Sequence, residues 1–301
     1  MSLRPLLRHL EHHPDAPRLE EPGARAFVSQ SLRPFLIAAV ADRDVRRPTV
    51  VVAGDDRAAR DLAADLRAWL RPRPVRFYPS RGVAYESHLA PPAHLVGLRV
   101  AALDAVLDAS PGAEAPVVVV SAVALSEKVP DPELRPHGFA LEVGELLDLD
   151  ETVGKLVAAG YERVDQVEDR GQFAVRGGLL DIYPATEERA VRVELFDIEI
   201  ESLRWFSTFT QRSLGEGTRV EIAPAAELAA EHRELAEIAA LEDADSRPDV
   251  AELLPVDRFR ELLDLFPDHT DVVIAADEDV EPALRDHWDD VCAAFHDTDA
   301  H

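Results

Sequence analysis

The chain has 301 residues, 47% of them hydrophobic and 30% charged, which suits two compact domains with real cores and excludes a disordered polypeptide. Its 58 acidic residues against 32 basic ones give a net charge of −26, a field that opposes a phosphate backbone, so little or no direct DNA binding is expected. The single cysteine, Cys292, excludes an intramolecular disulfide, no Cys/His cluster has metal-ligand spacing, and no apolar run reaches the roughly 18 residues of a membrane span.

In chain order, Met1-Ser2-Leu3-Arg4 leads into a polar, histidine-bearing helix over 5–13 rather than a signal peptide, so the expected location is cytoplasmic. Residues 24–28 read as a strand and 32–41 as a helix with Pro34 in its first turn, where a missing N–H is tolerated. Thr49–Ala53 is an apolar strand. Asp55 or Asp56 can cap a helix over 57–70 whose Leu62, Leu66, Trp69 and Leu70 share one face. Val75–Tyr78 and Val117–Val120 are further strands, with a helix over 95–107 between them. Apolar strands alternating with amphipathic helices predict an α/β fold with a parallel sheet covered on both faces.

The pattern changes after Leu125. Pro130, Pro132 and Pro136 mark a linker, Phe139–Leu146 alternates, and Thr152–Ala159 reads as a helix capped near Asp148 or Asp150 and ended by Gly160. After the strands described below, Val220–Pro224 returns the chain to the first domain. Residues 226–241 and Phe259–Phe266 read as helices, Asp271–Ala276 as a buried strand ending in Asp277-Glu278, and 279–295 as an acidic amphipathic helix. The expected organisation is a parallel-sheet domain in two parts, 1–125 and 214–301, interrupted by a smaller α+β domain over 126–213.

The richest stretch is Arg170–Pro184, two strands' worth of alternating and apolar residues broken at Gly177-Gly178 and stopped by a proline. Val191–Asp197 and Ile200–Phe209 add strands, predicting a small antiparallel sheet. Arg170 and Arg176 sit in or beside its first strand, and arginines next to aromatics suit protein docking. Asp181 reads as a buried structural carboxylate. Asp165 and Asp169 are expected in surface ion pairs.

This stretch resembles the inserted domain shared by the bacterial transcription-repair coupling factors (Mfd) and the excision-repair helicase UvrB. Tyr161–Val167, Asp197–Arg204 and Thr210–Leu214 fit the same pattern, and Val164-Asp165-Gln166 with Gln211-Arg212-Ser213 favours the coupling factors. The resemblance implies a UvrB-like architecture: a degenerate RecA-like, helicase-like sheet interrupted by a domain that docks onto UvrA. The family's Tyr-x-Arg appears as Tyr161-Glu162-Arg163. Nine residues on from the tyrosine stands Arg170, and the strand arginine before a glycine is Arg176. A second UvrB strand arginine is replaced by Ala174, which implies a weaker or differently anchored complex. Arg163, Arg176, Tyr161 and Arg170 are therefore the expected UvrA-binding residues, with Phe173 packing inward. RNA polymerase and DNA would be engaged by parts of the longer family proteins, of which this chain is expected to be an N-terminal fragment.

A motor of this fold needs a Gly-rich loop ending in Gly-Lys-Ser/Thr, whose amides and lysine hold phosphates. The corresponding Phe27–Pro34 has no glycine and no lysine, and no such motif occurs elsewhere in the chain. The expectation is a non-enzymatic fragment with no catalytic residue, cofactor or metal. The full-length protein would be an ATP-dependent DNA translocase through a motor outside this chain. Two other readings are an ATP-dependent repair helicase of UvrB type and an unrelated nucleotide-binding α/β enzyme. The first would need the missing loop, a basic channel and a longer, aromatic-rich insertion than Tyr78–His94 provides.

Overall fold

The computed structural model describes residues 3–83, 91–107, 112–230, 256–275 and 280–299. The chain forms two compact units, one of residues 1–87, 102–128 and 261–301, the other of residues 88–101 and 129–260. It thus re-enters the first unit at Glu261, later than the return expected near residue 214.

The helix expected over 5–13 is a 3-10 helix over Arg4–His12. Residues 24–28 are irregular rather than a strand: none of the described strands pairs with them, and Phe27 is fully exposed. The regular elements then begin with α1 (Arg33–Ala41), β1 (Thr49–Ala53), α2 (Asp56–Leu70) and β2 (Val75–Tyr78). The Asp55 side chain caps α2 by accepting from the Ala58 amide at 2.7 Å. Next come α3 (Ala93–Leu107), β3 (Val117–Ser121) and α4 (Ala122–Ser126).

The second unit supplies β4 (Val129–Pro130), β5 (Phe139–Glu142), α5 (Leu149–Ala158), β6 (Glu162–Arg163), β7 (Gln172–Arg176) and β8 (Leu179–Tyr183). It continues with β9 (Ala190–Phe196), β10 (Glu199–Phe206), β11 (Ser213–Gly217), β12 (Arg219–Ile222) and β13 (Phe259–Arg260). The chain then returns to the first unit with β14 (Asp271–Ile274) and α6 (Val280–Asp299).

In the first unit, four parallel strands run in the order β14-β1-β3-β2. The valines of β1 and β3 are buried on both faces, as the central strands of a parallel sheet require. β14 lies at the edge, its Val272 and Ile274 exposed and its Asp271 and Val273 half-buried, so the buried strand expected there is covered only in part and on one face. Inside the same unit Arg73 is almost fully buried and donates to the Ala115 carbonyl at 2.7 Å, the Arg47 carbonyl at 2.8 Å and the Ala41 carbonyl. Three carbonyls satisfying one guanidinium make a buried charge tolerable.

In the second unit a six-stranded sheet runs β11-β10-β9-β8-β7-β6, antiparallel except for the short β6, which lies parallel to β7. The strands expected from the alternation are its middle four, β7 to β10. One face packs Phe173, Leu180, Ile182, Val191, Val193, Ile200 and Leu203 against Leu156 and Tyr161. The other carries a smaller cluster of Ala174, Ala190, Phe206 and Val167. Asp148 caps α5 by accepting from the Asp150 and Glu151 amides at 3.0 Å.

Two small antiparallel pairs complete the unit, β5 with β12 and β4 with β13. Pro130, expected in a linker, is thus part of a strand pair. The helix expected over Phe259–Phe266 is β13 followed by a 3-10 helix over Leu262–Leu265, which ends where Phe266, the residue before Pro267, turns extended. Most of the helix expected over 226–241 lies outside the described residues, as do Asp277-Glu278 and 84–90 of the Tyr78–His94 segment. Among the described residues no helix is long and apolar enough to cross a membrane.

Candidate protein-docking site

The site is built where β6 lies alongside β7. Arg163 stands opposite Phe173 in the parallel register, and the Val164 amide donates to the Phe173 carbonyl at 2.9 Å. Along β7, side chains alternate: Phe173 enters the core, while Ala174 and Arg176 share the other face. β7 ends at Arg176 because Gly177 takes a left-handed φ of 60°, which lets the chain turn back tightly into β8. Arg163, Val164, Asp165, Val175 and Arg176 together line a shallow, open concavity.

Charge is the distinguishing property of this concavity. Arg176 donates from Nη2 and Nε to the Asp165 carbonyl at 2.7 and 3.2 Å. A carbonyl orients the guanidinium without neutralising it. Arg163 is exposed, and neither arginine meets a carboxylate among the described residues. The ion pairs expected of Asp165 and Asp169 are likewise not formed among those residues; Asp165 serves through its backbone. On the sheet face that carries Arg176, Arg192 and Arg204 are neutralised. Arg192 holds Asp181 through two contacts of 2.7 Å and lies 4.8 Å from the Phe206 ring centre, and Arg204 meets Glu194 at 2.9 Å. Asp181 is thus the buried structural carboxylate expected, in the middle of β8.

The other two expected contact residues are placed differently. Tyr161 is 4% exposed, so it is a core residue and not a partner contact. Its hydroxyl donates to the Ala223 carbonyl at 2.7 Å and accepts from the Ala185 amide at 3.1 Å, and burial pushes its pKa up, which keeps the proton on. The sequence held a signal for this. The Tyr161 amide donates to the Leu156 carbonyl and the Gly160 amide to the Val157 carbonyl, a Schellman ending in which the residue after the glycine packs back on the helix. Tyr161→Phe is expected to lower stability by about 1–3 kcal/mol in denaturant unfolding, because two buried backbone groups lose their partner. Arg170 is half-buried. It donates to the Glu187 carbonyl at 2.7 Å and lies 5.8 Å from the Tyr183 ring centre, so it braces the loop after β8 and does not line the concavity.

Comparison with known families matches residues 139–228 to the UvrB interaction domain. The chain is 35% identical over 223 residues to the transcription-repair-coupling factor of Bacillus subtilis, covering 73% of this chain and 18% of that protein. It is 36% identical over 230 residues to the factor of Myxococcus xanthus, again 73% of this chain and 18% of that protein. Over the stretch it spans, the chain belongs to the transcription-repair-coupling factor family. The factor of Escherichia coli is 31% identical over 193 residues, covering 64% of this chain and 16% of that protein. The chain therefore spans less than a fifth of the length of these coupling factors. The matched UvrB interaction domain takes in β5 to β12, and so the whole six-stranded sheet and the arginine concavity.

Proposed function

We propose that the chain is a non-catalytic recruitment module of transcription-coupled DNA repair, acting in the cytoplasm and docking the excision-repair protein UvrA through Arg163 and Arg176. The observation that carries this reading is two exposed guanidinium groups, neither paired with a carboxylate among the described residues, lining one concavity on the matched interaction domain in a chain of net charge −26. A guanidinium presents a rigid fork of donors that matches a carboxylate, and it loses less hydration than an ammonium when it does so. Ala174 supports a two-arginine footprint: it is buried under Val164, Val167 and Phe206, and cannot reach a partner.

On the same reading the parallel-sheet unit is a degenerate RecA-like domain that does not hydrolyse ATP. The entry to α1 supports it. The Leu32 and Arg33 amides both donate to the Ser29 carbonyl, at 3.0 and 3.2 Å, so they do not form an open cradle for phosphate. Engagement of RNA polymerase and DNA then falls to other parts of the longer family proteins.

Arg176→Ala is expected to weaken UvrA binding by about 1–4 kcal/mol in a calorimetric titration, with the melting temperature unmoved because the side chain is exposed. Unchanged affinity would reject the site. Millimolar ATP is expected to leave the melting temperature unshifted, as a ligand that binds the folded state would raise it.

A further inference from the structure

The sheet face that carries Arg176 continues into an exposed apolar tip. Arg176 stands opposite Leu179, and Leu179 opposite Glu194, so these three share a face, and Phe196 follows on the same face two residues after Glu194. Phe196 pairs with Glu199, and Glu199 in turn bridges to Leu146, which sets Phe196 and Leu146 on either side of one carboxylate. Phe196 is 74% exposed and Leu146 68%, an unusual display for large apolar side chains.

The tip is rigid rather than frayed. The Leu147 amide donates to the Ile198 carbonyl at 2.7 Å, and the Ile200 amide to the Glu145 carbonyl at 2.9 Å. The Gly144 amide donates to the Ile200 carbonyl at 2.9 Å. It is also tied to the arginine end, since the Leu195 amide donates to the Gly178 carbonyl at 2.9 Å, one residue from Phe196 and two from Arg176. Glu199, Asp197 and Glu145 meet no cation among the described residues.

We infer that Phe196 and Leu146 are the apolar anchor of the same docking surface whose cationic end is Arg163 and Arg176. This rests on the proposed reading of the arginines and extends it to the chemistry of the partner. The segment of UvrA that fits presents a carboxylate to Arg163 and Arg176. One or two strands further along, it presents an apolar side chain beside a lysine or arginine that meets Glu199. The order acid, apolar, base fixes the orientation in which the partner can lie, because the reverse orientation sets like charges together at both ends.

The test is calorimetric titration of purified UvrA with the whole chain and three variants. Phe196→Ser/Leu146→Ser is expected to weaken binding about tenfold or more, because a buried apolar anchor is lost. Glu199→Arg is expected to weaken it about threefold or more by charge repulsion, and both variants to melt with the unmodified chain because the altered side chains are exposed. If Arg176→Ala weakens binding while both tip variants bind as the unmodified chain does, the arginine reading stands and the anchor is overturned. Tighter binding by Glu199→Arg overturns the inferred charge order. If the tip variants weaken binding and Arg176→Ala does not, the apolar contact stands and the arginine reading falls.

Discussion

Phe173→Ala is expected to remove about 3–5 kcal/mol of stability, read as a drop in the denaturant midpoint. Phe173 is fully buried in the middle of β7, and its cross-strand neighbour is Ile182 on β8. β6 on one side and β8 on the other hold the strand by backbone hydrogen bonds, so the walls cannot close on the space a benzyl group leaves. The cost is therefore expected at the cavity-forming end of the range rather than the relaxed end. A loss under about 1 kcal/mol would mean that this face of the sheet is loosely packed.

Asp181→Ala is expected to cost about 2–4 kcal/mol, less than a fully buried pair because Arg192 keeps some contact with water. Asp181 is 4% exposed and holds Arg192 through both of its oxygens, while the guanidinium also lies over the Phe206 ring. Removing the carboxylate strands a cation on a partly desolvated face. Replacing both residues, as Asp181→Leu/Arg192→Leu, is expected to recover most of the loss, since the penalty belongs to the unpaired charge. A double variant as unstable as the single one would show instead that the pair itself supplies the stability.

Much of this fold was readable because its signals are local. Val117–Val120 and Thr49–Ala53 are apolar runs that only a two-sided parallel sheet accommodates, and the strands around Gly177-Gly178 and Asp197-Ile198 carry their turn residues with them. What was missed depends on distant partners. Residues 24–28 have a strand's composition but pair with none of the described strands. Phe259-Arg260 has no strand signal of its own and takes its conformation from Val129-Pro130. At the proposed docking site, the resemblance to the family points to Arg163 and Arg176, and both line the concavity. That Arg176 is aimed by a backbone carbonyl, and that Arg192 and Arg204 are neutralised by Asp181 and Glu194, follows only from strand register. Tyr161 is the converse case: its place in the family's Tyr-x-Arg implies a partner contact, whereas the helix ending packs it into the core.

The most direct measurement is a calorimetric titration of purified UvrA with the chain carrying Arg163→Glu and Arg176→Glu together, beside a thermal melt of the same protein. Two exposed guanidinium groups become two carboxylates, so a surface that attracts acidic groups repels them while the core is untouched. The expected result is no detectable heat of binding and an unchanged melting temperature. Binding within about twofold of the unmodified chain would contradict the claim that this paired cationic patch recruits the partner.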